Sequence, residues 1–232
     1  MTGPRLADVC TLACARLFEG DGEILASPMA AIARLGAQFA QATTEPLLVL
    51  SEDAQLPYRR VFDVVWMGRR HVMMGASQID RFGNQNISAI GDYAAPKVML
   101  LGVRGAPGNT INHPTSYWVP KHNKRVFVPE VSVVSGIGAD KARKLGHSAR
   151  YFDLRGVVSN LAVLDFATDD GAMRLRSTHP GVSVQQVIDA TGFELVIPTD
   201  VPTTESPNDD AMAVLNQLDP EGRRYRWLPD PE

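Results

Sequence analysis

Apolar positions along the chain alternate between two periods. Residues Arg5 to Phe18 carry Leu6, Val9, Cys10, Leu12, Ala13, Cys14 and Leu17 at helical spacing, which predicts an amphipathic helix. Glu23 to Ala26 reads as a short strand. Ser27-Pro28 then reads as a helix cap followed by a first-turn proline, opening a helix through Met29, Ile32, Leu35 and Phe39 to about Ala42. Leu47-Leu48-Val49-Leu50 is an unbroken apolar run, the pattern of a parallel strand covered on both faces. A strand, a helix and a strand at this spacing form a right-handed crossover, so the expected fold is α/β, an open mostly parallel sheet with helices on both faces.

Further along, Gln55 to Tyr58 passes abruptly into an amphipathic helix from Arg59 to Trp66, and His71 to Ala76 is a strand. Gln78 to Asn86 is an Asp, Gly and Asn turn, Ile87 enters a short strand, and Val98-Met99-Leu100-Leu101 has the length and branching of a short buried strand. It runs into a tight turn, Gly102 to Thr110, that holds three glycines and a proline. Ile111 to Trp118 mixes polar and aromatic residues without a period, a composition that suits a cleft lining. Beyond it stand Arg125 to Val128, a charged hinge from Lys141 to Arg150, and strands around Val157-Val158 and from Leu161 to Phe166. Ser183 caps a helix that Gly192 stops, and Asn208 to Leu218 is a short helix between proline-rich ends. Residues 1–232 read as one domain, with 196–232 as a C-terminal packing arm.

Charge narrows the partners. With 23 basic and 26 acidic residues and a net charge of -3, the chain has no cationic surplus for nucleic acid. No stretch approaches the roughly 20 apolar residues of a membrane span, and the N-terminus lacks a signal-peptide layout, so the expected location is cytoplasmic. The only cysteines, Cys10 and Cys14, share the apolar stripe of the first helix and are expected to be buried free thiols. No metal site is expected: His113 precedes a proline in a loop, and His122, His147 and His179 are scattered.

Two places carry candidate chemistry. Ser51-Glu52-Asp53 follows a strand directly, at the carboxyl edge where open parallel sheets bind ligands, and Glu52 there is open to reading as a nucleophile, a base or a turn cap. The Gly102 to Thr110 turn lets backbone approach a ligand, with Arg104 as its one large cation and Asn109 and Asn112 close behind. A solvated connection explains that turn equally well on physical grounds.

Longer runs break the tie. Asp80-Arg81-Phe82-Gly83-Asn84-Gln85-Asn86-Ile87-Ser88, Gly102-Val103-Arg104-Gly105, Pro107 to His113, Gly68 to Val72, Val133 to Gly138 and the segment from His179 to Leu195 together resemble the β subunit of the class I coenzyme A transferase family. Within that family they are most similar to the branch of ring-cleaving hydrolases in actinobacterial steroid catabolism. The resemblance implies an α subunit carrying the catalytic glutamate, an α2β2 assembly, an acyl-CoA substrate, and no cofactor beyond the coenzyme A of the substrate. It also implies Arg104 as the catalytic residue of this chain and Gly105, Ala106, Gly108, Asn109 and Asn84 as substrate-binding positions. Transferases place a Ser-Glu-Asn-Gly-type motif after the second strand, and its glutamate forms a thioester with coenzyme A. Here the text is Ser51-Glu52-Asp53-Ala54, which keeps Glu52 but lacks the Asn-Gly. Similar chains also carry a longer loop at Leu56-Pro57.

Overall fold

A computed structural model describes residues 3–51, 63, 70–100, 102–103 and 105–230. Seven strands make the central sheet. They are β1 (Leu25–Pro28), β2 (Val49–Leu50), β3 (Arg70–Met74), β8 (Pro114–Val119), β9 (Asp153–Ser159), β10 (Ala162–Asp165) and β11 (Arg174–Thr178), in the order β11-β10-β9-β8-β3-β1-β2. From β2 to β9 every pairing is parallel, and β10 runs antiparallel between β9 and β11. Two small ribbons, β4 (Gln78–Ile79) with β5 (Gln85–Asn86) and β6 (Ala89–Ile90) with β7 (Val98–Met99), stand outside the sheet.

Neighbouring residues on each central strand enter different cores, because side chains alternate across a sheet. Met73, Trp118, Val158 and Val163 pack with helices α1 (Leu6–Arg16), α2 (Ala31–Thr43), α6 (Asp209–Leu218) and α7 (Arg224–Trp227). Val72, Tyr117, Val157 and Leu164 face the other side, with α5 (Val184–Ala190), Ile79 of β4 and Phe127. Both faces are therefore covered, the second by α5, by short helices α3 (Ala106–Asn112) and α4 (Ala139–Leu145), and by ribbons. The expected α/β fold is present. No helix among the described residues is long and apolar enough to cross a membrane.

Three expectations fail for physical reasons. Ser27-Pro28 does not start a helix: both residues extend β1, in register with Val72 and Met73 of β3, and α2 begins at Ala31 behind an uncapped Ala30. Sheet pairing over four residues outweighs one capping signal. Val98 and Met99 are not a buried strand, since they pair only with β6 and are 47% and 59% exposed. Ile111 to Trp118 is no cleft lining from Pro114 on, because β8 runs through the middle of the sheet with Thr115, Ser116, Tyr117 and Trp118 buried. The charged hinge from Lys141 to Arg150 falls largely on α4 and a 3-10 turn (Gly146–Ala149), and the chain makes a strand at β11 where no element was expected. Cys10 and Cys14 are buried free thiols on α1, and burial pushes both well above the ordinary thiol range.

Candidate functional site

β1 and β3 end together. Met29 N donates to Met73 O at 2.9 Å, carrying the ladder one step past Pro28. Beyond that edge a cleft of about 550 Å³ opens between Met29, Met74 to Ser77, Gln85, Ile87, Leu100 and Gly102. Its far wall is held by short bonds. Leu100 N donates to Ser88 O (2.8 Å) and Gly102 N to Ile87 O (3.1 Å). A Cβ on Gly102 would stand 3.2 Å from Ile87 Cβ, so glycine lets the two backbones meet. Ser135 Oγ accepts from Ile87 N (3.0 Å) and bonds Ser88 Oγ (2.7 Å), while Gln85 Nε2 donates to Gly75 O, joining the ribbon wall to the end of β3.

The turn between β4 and β5 is built on Asp80. Its carboxylate accepts from Phe82 N (3.0 Å), from Asn84 N (3.0 Å) and from Asn84 Nδ2 (2.9 Å). Asn84 Nδ2 also reaches Asp140 (2.9 Å), and its Oδ1 accepts from Gly138 N (2.8 Å). Burial raises the Asp80 pKa, against the lowering effect of the Asn84 and Phe82 bonds, with Asp140 adding repulsion. Both ends of the buried Asn84 amide are thus occupied inside the protein. The site contact expected of Asn84 becomes, in this structure, a fastening between the turn and the start of α4.

The glycine turn leads into α3. Gly105 caps that helix in the left-handed region at φ 93, and Asn109 N donates to Gly105 O at 2.9 Å. Gly105 and Gly108 are exposed, whereas Ala106 and Asn109 are buried. The Asn109 side chain lies between two β3 residues: Oδ1 accepts from Arg70 Nη1 (3.2 Å) and Nδ2 points at Met74 Sδ (3.5 Å). Arg70 Nε donates to Ser27 Oγ (2.8 Å). Arg104, Glu52 and the Leu56-Pro57 junction lie outside the described residues.

His113, the residue before β8, is fully buried, with no partner on either ring nitrogen among the described residues; burial and then the Arg70 charge lower its pKa to about 4. No group of three His, Cys, Asp or Glu among the described residues is arranged to hold a metal. Sequence reasoning missed Arg70, Gln85 and Met29. Arg70 alternates with Val72 and Met74 on one face of β3, and that period was its one available signal.

The coenzyme A transferase family model matches residues 64–190, more than half of the chain and spanning β3 through α5. The chain belongs to the coenzyme A transferase family. Among the family's proteins, it is 46% identical over 239 aligned positions to the cholesterol ring-cleaving hydrolase IpdB subunit of Rhodococcus jostii, covering 95% of this chain and 94% of that one. The structure of Rhodococcus jostii RHA1 IpdAB matches with a TM-score of 0.92 at 46% identity, over 98% of this chain and 99% of that one. Glutaconate coenzyme A-transferase of Acidaminococcus fermentans, at 20% identity and a TM-score of 0.82 over 97% and 98% of the two chains, shares the fold.

Proposed function

We propose that this chain is the β-type subunit of a heteromeric hydrolase that opens a carbocyclic ring of a steroid-derived keto acyl-CoA by adding water across a carbon–carbon bond. The observation that carries this reading is 46% identity along nearly the whole chain to a cholesterol ring-cleaving hydrolase subunit, with the matching backbone of IpdAB. The cleft at the carboxyl ends of β1 and β3 suits it: apolar walls from Met29, Met74, Ile87 and Leu100 fit a ring, and the glycine turn beside it can approach one closely.

In the proposed reaction a carboxylate of the partner subunit takes a proton from water, whose oxygen bonds to a ring carbonyl carbon. The adjacent carbon–carbon bond then breaks, and its electron pair passes to the neighbouring carbonyl as an enolate, which takes up a proton. The old ring carbonyl becomes a carboxylic acid and the thioester stays intact. Arg104 holds the substrate carboxylate or the enolate, since a guanidinium is permanently charged and offers a planar fork of donors. Gly105, Ala106, Gly108 and Asn109 shape the same wall. An α partner supplies the base, in an α2β2 assembly, and coenzyme A enters only as part of the substrate.

A true coenzyme A transferase would instead use Glu52 as nucleophile. Hydroxylamine added to the assembled complex with acyl-CoA distinguishes them: the hydrolase reading expects no label on Glu52, and a labelled Glu52 selects the transferase. Arg104→Lys is expected to lower turnover by about two orders of magnitude with an unchanged melting temperature. Near-normal turnover removes Arg104 from the mechanism and supports the alternative in which this chain is a non-catalytic supporting subunit.

A further inference from the structure

We propose that Arg70 is the recognition point for a carboxylate group on the ligand of this cleft. The inference deepens the functional reading above and rests on it for the nature of the cleft, and none of its observations involves Arg104.

Arg70 is half-buried on the face of β3 that it shares with Val72 and Met74. A guanidinium has five N–H donors. Two of them go to described residues, Nε toward Ser27 Oγ at 2.8 Å and one on Nη1 toward Asn109 Oδ1 at 3.2 Å, and both acceptors are neutral. Among the described residues no carboxylate pairs with Arg70. Other buried or half-buried arginines differ: Arg155 meets Asp21 and Asp153, Arg174 meets Asp165, and Arg224 meets Asp8 and Asp219. Burial already weakens the hold of Arg70 on its proton. A desolvated charge without a counter-charge is costly, so this position favours an anionic guest.

Its neighbour points the same way. His113 is fully buried, with both ring nitrogens unpartnered among the described residues, and it is neutral beside Arg70, so it offers one N–H donor without adding charge. One cation with neutral donors suits a singly charged carboxylate, which the guanidinium fork can meet with two parallel bonds. A phosphate dianion would call for more positive charge than the described residues place here. The position is also close to the cleft: Asn109 touches Arg70 through Oδ1 and Met74 through Nδ2, and Met74 lines the cleft, so a single amide separates the guanidinium from the cleft wall.

The test uses the assembled complex and three probes: 4-oxocyclohexanecarboxylate, its methyl ester and inorganic phosphate, each titrated calorimetrically. The acid is expected to bind, the ester and phosphate are not, and Arg70→Gln is expected to weaken the acid about tenfold or more, with Arg70→Lys between. Both variants are checked by thermal melting, and if the Gln variant does not fold the Lys variant carries the comparison. Equal binding of acid and ester, equal acid binding by wild type and variant, no binding of the acid by the wild type, or phosphate binding that depends on Arg70 overturns the assignment. Acid binding that depends on Arg70 in a complex that opens no ring would leave this inference standing and sink the functional reading alone.

Discussion

Arg224 Nε donates to Asp8 Oδ1 at 2.6 Å, a pair that ties the last helix of the chain to the first. The arginine is fully buried, and its other donors go to Asp219 (3.1 Å), Asn216 (2.7 Å) and Tyr225 (2.7 Å). The C-terminal arm is therefore held by a satisfied ionic network as well as by Leu215 and Leu228 in the α1–α2 core. Breaking a buried pair from one side strands the other charge. Arg224→Ala is expected to cost about 3–5 kcal/mol by urea unfolding, whereas an effect below 1 kcal/mol would show that the arm packs without it.

Asp21, His71 and Ser116 stand in the order of a hydrolytic triad, with His71 Nδ1 2.6 Å from the Asp21 carboxylate and Nε2 2.9 Å from Ser116 Oγ. All three side chains are buried, Asp21 on the loop between α1 and β1, His71 second in β3 and Ser116 third in β8, and none of them lines the cleft. The geometry makes them a structural clamp on the loop between α1 and β1. Ser116→Ala is expected to leave turnover within about twofold and cost only about 1 kcal/mol of stability. Loss of activity by orders of magnitude in a folded variant would make Ser116 a nucleophile and overturn the clamp.

Three histidines set an acid limit. Burial, the largest cause at each, holds His113 near 4, His122 near 3 and His179 near 4, against an ordinary value of 6.5. The unfolded chain thus binds protons that the folded chain refuses. Stability is full above about pH 6.5 and falls as the pH drops toward the folded values, at up to about 1.4 kcal/mol per pH unit for each histidine. Asp80, raised by burial, works in the opposite direction as one group against three. Urea midpoints between pH 7.5 and 4.5 test this: a steep fall that His122→Gln makes shallower is expected, and a flat profile contradicts it.

What the sequence showed depended on whether one period dominated. Helix α1 was legible from apolar residues at helical spacing, although it is not the amphipathic helix expected, being buried all round from Ala7 to Ala15, and the helix at Ser183 because its cap and its stop are both local: Ser183 Oγ does accept from Gln186 N. β8 was not legible, because a central strand buried on both faces has no alternation to read and its buried Ser116 finds its side-chain partner far along the chain, in His71. Val98-Met99 misled because an apolar pair looks the same whether it enters a core or an exposed ribbon. At the site, the bend into Gly105 was visible from its glycines, but the expected turn stops there, because Ala106 to Thr110 belong to α3, and Arg70 was not visible, since its meaning lies in the lack of a carboxylate partner among the described residues, which only three dimensions reveal.

Ring opening in heavy-oxygen water tests the central claim most directly. The purified chain with its α partner is incubated with a panel of cyclic keto acyl-CoA esters, and the products are read by mass spectrometry. The account predicts a product heavier by one molecule of water, with the heavy oxygen in a new carboxyl group and coenzyme A still attached. Coenzyme A moved to an acceptor acid, or free coenzyme A with the ring intact, would contradict it.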